Sequence, residues 1–184
     1  MALASRPWAA ELLHFWFHEL TPPDWWDGNE KLDSELEKRF RRELEALFSC
    51  PPSSFLETPQ IALAAVLLFD QVPRNVFRGS ARAYATDPLA RAITHGALAR
   101  GYLPLLERRQ RQFLVMPLMH SEAIADHLLS LQLFARIDGG ANLSFARSHY
   151  RMIARFGRYP HRNKVLGRTS TPAEKRAVES GFAW

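Results

Sequence analysis

Residues 155–168, RFGRYPHRNKVLGR, carry four arginines, one lysine and one histidine, no carboxylate, and are broken by two glycines and a proline. Arginine forks hold carboxylate or phosphate through two parallel hydrogen bonds, and histidine titrates near neutral pH. That combination suits a small anion, with Arg155, Arg158, His161, Arg162 and Asn163 as candidate ligand-binding side chains. The segment that leads in, LSFARSHYRMIARFG, places Phe145, His149, Met152 and Phe156 on one helical face. His149 therefore sits on an apolar stripe, as a hydrogen-bonded core residue or, with His161, as one of two candidates for a general acid or base. Gly157 is expected to end that helix in a left-handed turn, and Pro160 forbids its resumption.

A second polar segment is DQVPRNVFRG, Asp70 to Gly79. Asp70 is expected at the C-terminal end of an all-apolar helix, against the helix dipole, a local penalty of a few tenths to ~1 kcal/mol. Pro73 is expected to stop the helix just beyond it. Asp70, Arg74, Asn75 and Arg78 then form either a buried network that fixes a loop or one wall of a polar pocket. The Arg-Asn pair recurs in HRNKVLGR, also after a helix end, which suggests one local geometry used twice.

The third segment is MPLMHSEAIADH, Met116 to His127, with Ser121 as the expected N-cap of the next helix. His120 precedes that cap and joins the ligand-binding candidates. A metal is not expected: Glu122 and Asp126 share one helical face, His127 another, and His120 lies outside. No cofactor is expected, because no glycine-rich phosphate loop of the usual spacing is present.

Residues 1–58 hold 6 basic and 11 acidic residues, and residues 59–184 hold 18 and 8, giving a net charge of +5 overall. The basic set is 20 Arg to 4 Lys. A GC-rich genome enriches arginine without a functional cause, and the acidic first third is expected to fold against the basic remainder; what these leave over points to an anionic partner. A small anionic molecule comes first. A helical scaffold that clamps an acidic peptide or partner protein in a groove comes second. Nucleic acid is disfavoured despite an isoelectric point near 9.8, because the arginines lie in segments broken by Gly, Pro and Asn and not along one exposed helix. Whether any reaction is catalysed stays open, and so does a homo-oligomer; the DWW tryptophans serve either a dimer contact or only the core. The single Cys50 excludes an intrachain disulfide framework and a multi-cysteine zinc site. The N-terminal stretch does not read as a signal peptide, and no run approaches the ~20 apolar residues of a membrane span. A soluble, cytoplasmic protein with no membrane partner is expected.

These segments need helices to position them. The spacing predicts an aromatic helix from Pro7, capped with help from Ser5, to about Leu20, an amphipathic helix over 30–48 and a buried one over 60–70. Asp87-Pro88 predicts an N-cap with proline in the first turn, opening a helix to about Gly101. Further helices are predicted over 106–116, 121–137 and 143–156, and TPAE, Thr171 to Glu174, is a capping box. No clean strand alternation appears. The expectation is one all-α domain over residues 1–184, with seven to nine helices.

Together, DQVPRNVFRG, TDPLAR, MPLMHSE, RFGRYPHRNKVLGRTSTPAE and the opening LLHFWF…WW resemble the bacterial family known as domain of unknown function 924, over nearly the whole chain. The resemblance implies an all-helical, tetratricopeptide-like right-handed superhelix and no established activity. The chain departs from the family's pattern in having Val115, Met116 and Leu118 before HSE, and Ala123 after it.

Overall fold

From Ala62 to Asp70 every residue is fully buried, so this segment can only be the central rod of the structure. The protein is described by a computed structural model over residues 6–26, 28–137 and 142–181. Its α-helices are α1 Pro7–His14, α2 Glu30–Leu47, α3 Pro59–Val66, α4 Val72–Val76, α5 Asp87–Ala99, α6 Arg108–His120, α7 Ile124–Phe134, α8 Leu143–Phe156 and α9 Pro172–Glu179. A π-turn, Leu67–Gln71, welds α3 and α4 into one rod. Among the described residues there is no strand, and the fold is all-α. α1, α5 and α6 pack around α3, α2 lies against α4, and α6, α7 and α8 stack in succession. A single large core joins these layers, while Met152, Ile153, Tyr159 and Ala177 form a small second one under α8 and α9. Among the described residues no helix is long and apolar enough to cross a membrane.

Several local expectations stand. α2 buries Leu32, Leu36, Phe40 and Leu44 at helical spacing. Gly157 ends α8 at φ 66°, in the left-handed region. Thr171 and Glu174 close the capping box of α9. Ser5 lies outside the described residues.

Pro73 does not stop the rod. Its missing N–H cannot serve the carbonyl four residues back, on Phe69. The π-turn shifts the register, so that the Val72 N–H reaches the Leu67 carbonyl, and Thr86 Oγ1 donates to the Phe69 carbonyl at 2.6 Å. The next two carbonyls are also served by side chains: Arg74 Nη1 donates to Asp70 O at 2.7 Å and Asn75 Nδ2 to Gln71 O at 3.2 Å. The DQVPRN motif thus supplies two of the three side-chain donors along the rod, and Thr86 supplies the one that answers Pro73. Asp70 consequently lies inside the rod and not at a helix C-terminus; burial, and not the dipole, is what demands a counter-charge. Thr86→Val, the same shape without the hydroxyl, leaves the Phe69 carbonyl unserved. It is expected to cost about 1–3 kcal/mol in urea denaturation.

Three further expectations are corrected. α6 runs through Pro117 to His120. Ser121 accepts the Ala123 N–H at 3.0 Å in a tight turn, and α7 starts only at Ile124. Asp87 does not cap α5; its carboxylate turns to two guanidinium groups instead.

Candidate functional site

α4 with the turn after it, the end of α6, α8 and the loop after α8 meet at a cleft of about 350 Å³. Arg74, Asn75, Arg78, His120, His149, His161 and Arg162 line it. These come from all three segments that sequence patterning singles out. Trp25 and Trp26 add an aromatic wall, and Tyr84 adds a phenol.

Asp70 lies beneath the cleft with no exposed surface. His120 Nδ1 sits 2.8 and 3.0 Å from its two oxygens, and Gln71 also donates to it. Arg74 Nη2 is 3.4 Å away. Burial alone would raise this carboxyl; the charges of His120 and Arg74, with hydrogen bonds from His120 and Gln71, outweigh it and hold it well below the usual carboxylate range. Burial lowers the His120 imidazole, and Asp70 only partly offsets it. His120 donates Nδ1–H to Asp70 whether its ring is charged or neutral, and burial favours the neutral ring. In the neutral form Nε2 is the proton acceptor, on a ring that lines the cleft. This is an oriented base that can take a proton from a bound molecule or from water.

Asp87 is the second hub. Arg74 grips it with both Nη atoms, at 2.9 and 3.2 Å, and Arg162 Nη1 reaches Oδ2 at 3.1 Å. The arginines of the two Arg-Asn pairs meet on this one carboxylate. Their asparagines part ways: Asn75 serves the rod, while Asn163 is buried and donates to Ser170. Arg162 lies between the rings of Tyr84 and Tyr159, 4.5 Å from each centroid. Its Nε is buried with no hydrogen-bond partner among the described residues. Burial, and then the charge of Arg74, lower its affinity for its own proton.

Tyr159 organises the far side. His127, His149 and His161 pack around its ring at centroid distances of 6.1, 5.8 and 5.4 Å. Its hydroxyl donates to the Met119 carbonyl at the end of α6. His149 Nδ1 approaches the Phe145 carbonyl at 2.8 Å, which sets the proton on that nitrogen. Burial pushes His149 down to about 3, with His120 adding to it. Burial and Arg162 push His161 down to about 4.

The remaining charges of the loop build its frame. Glu122 accepts two bonds from Arg168, at 2.7 and 2.9 Å, and one from the Tyr159 N–H at 2.8 Å. Arg158 grips Glu174 at 2.7 and 3.0 Å and stands outside the cleft. Arg155 is exposed, its guanidinium over the Phe156 ring. Arg78, at the cleft rim, pairs with Asp33 at 2.8 and 2.9 Å. Asp126 goes to Arg91 and His95, away from His120. Among the described residues no group of three His, Cys, Asp or Glu side chains is placed to hold a metal ion.

Residues 12–181 match the family model described as a bacterial protein of unknown function, DUF924. The chain belongs to this family. It is also 38% identical to ATU0120, a protein of unknown function from Agrobacterium tumefaciens. That protein's solved structure superposes with a TM-score of 0.88 over 94% of this chain and 97% of that one. No curated protein matches the chain. The DUF924 motifs acquire a spatial meaning here. DQVPRN supplies Asp70 and Arg74, TDP supplies Asp87, HSE supplies His120 and Glu122, and RYPHRN supplies Tyr159 and Arg162. Asp87, Tyr84, Tyr159 and the two tryptophans were not legible as site residues from sequence. Asp-Pro reads as a cap, and Tyr159 reads only as the residue before a proline. The one usable signal was TDPLAR itself, an acid beside a proline in a chain rich in arginine.

Proposed function

We propose that the cleft binds a small carboxylate or phosphate compound, with Arg162 as its anchor, Arg74 beside it and Arg78 at the rim. The observation that carries this is the state of Arg162. It is 6% exposed, it lines the cleft, and among the described residues it shares with Arg74 the one carboxylate it reaches and its Nε has no hydrogen-bond partner. A buried guanidinium under-served in this way gains from any anion that completes its hydrogen bonds. His120, oriented by Asp70, gives the same cleft a base for chemistry on what is bound.

Phosphate and citrate, titrated at constant ionic strength, are expected to raise the melting temperature by mass action. At a hundredfold excess over Kd the gain is ~2.7 kcal/mol, which is roughly 5–10 °C for a chain of this size. Arg162→Gln is expected to abolish that response and to leave the fold standing, because Arg74 still covers Asp87. A scaffold for acidic peptides predicts no thermal response to either anion, and a response that survives in Arg162→Gln contradicts the assignment.

A further inference from the structure

A second cavity, of about 360 Å³, adjoins the polar cleft and shares Trp26, His120 and His149 with it. Its other walls are Met116, Met119, Asn142 and Phe145, so the lining changes from guanidinium and amide to thioether and aromatic across the shared residues. Phe145 was expected on the core face of α8. Instead that face is Ala146, His149, Met152 and Ile153, and Phe145 stands 55% exposed. Trp26 is 54% exposed and stacks flat on Phe113, with 10° between the rings. Two large apolar side chains left open to water at the mouth of one cavity mark a surface meant to be covered. Methionine walls adapt to flexible apolar shapes.

We infer that the ligand is amphipathic: an anionic head group held by Arg162 in the cleft and a short acyl or aromatic tail lying between Trp26, Phe145, Met116 and Met119. This rests on the anion site proposed above. It places the head–tail junction beside His120, since that residue borders both hollows. Each hollow alone lies near the lower end of the usual range for a small-molecule site, and the two share three lining residues.

The test is calorimetric titration of the full chain with straight-chain carboxylates from acetate to octanoate, matched alkyl phosphates, and neutral alcohols of the same lengths. Affinity is expected to rise roughly three- to fourfold per methylene until the cavity is filled, for the charged series only. Phe145→Ser, a neutral change on an exposed helix surface, is expected to flatten that rise. Binding of the short anions with no gain on lengthening overturns the tail assignment and leaves the anion site intact. Alcohols that bind as tightly as the acids overturn the link between head and tail. Failure of every charged series, short and long, overturns the anion site and this inference with it.

Discussion

Asp70→Ala is expected to destabilise the protein by about 3–5 kcal/mol, lowering the melting temperature by roughly 10 °C or more. The carboxylate has no exposure and three donors or cations around it: His120, Gln71 and Arg74. Its removal strands the Nδ1–H of His120 and the amide of Gln71. Arg74 is left with Asp87 alone, which Arg162 already shares. Asp70→Asn retains the shape and one acceptor, so it is expected to cost less while still losing the counter-charge to Arg74. Chemical denaturation of the two variants beside the parent chain checks both. A loss below ~1 kcal/mol for Asp70→Ala would show that the network is not what holds the rod's π-turn.

Acidification is expected to act on the same region from the other side. His149 and His161 are held down to about 3 and about 4, chiefly by burial, and His120 and His127 are also lowered. Below the unfolded value of ~6.5 the unfolded chain binds protons that the folded chain refuses, so stability rises with pH there and falls as pH drops. Between pH 7 and pH 5 the first two histidines together are expected to remove about 4 kcal/mol. That is a large part of the ~5–15 kcal/mol that holds a domain of ordinary stability. The depressed Asp70 adds its own loss only at much lower pH, once the carboxyl begins to protonate. Urea midpoints at the two pH values measure the slope. The double variant His149→Gln, His161→Gln should flatten it, and equal midpoints in the parent chain would refute the burial of neutral imidazoles.

The contrast between these polar groups and their sequence signals is informative. α2, α8, the Gly157 turn and the capping box of α9 were legible because each is a local pattern, decided by residues within one or two turns. Pro73 misled because its cost, the unserved Phe69 carbonyl, is met by Thr86, seventeen residues beyond Phe69, a donor no local rule can see. Asp87 misled for the converse reason. Its local role as a cap is plausible, but two arginines from distant segments outbid the helix end for its carboxylate. Within the site, the gathering of Arg74, Arg78, His120, His149, His161 and Arg162 was foreshadowed by residue type, since so many cations without nearby acids must find either distant acids or a ligand. Which arginine does which was not foreshadowed. Arg158 and Arg168 differ from Arg162 only in what the fold brings beside them: Glu174 and Glu122 in the first two cases, a shared Asp87 and two tyrosine rings in the third.

That difference can be read at a single atom. The Nε–H resonance of Arg162, assigned by its loss in Arg162→Lys, can be followed by NMR during a phosphate or citrate titration at constant ionic strength. The anion site predicts a saturable shift of this resonance at the concentrations that raise the melting temperature. An unmoved Arg162 resonance at saturation, with shifts confined to exposed arginines such as Arg155, would contradict it.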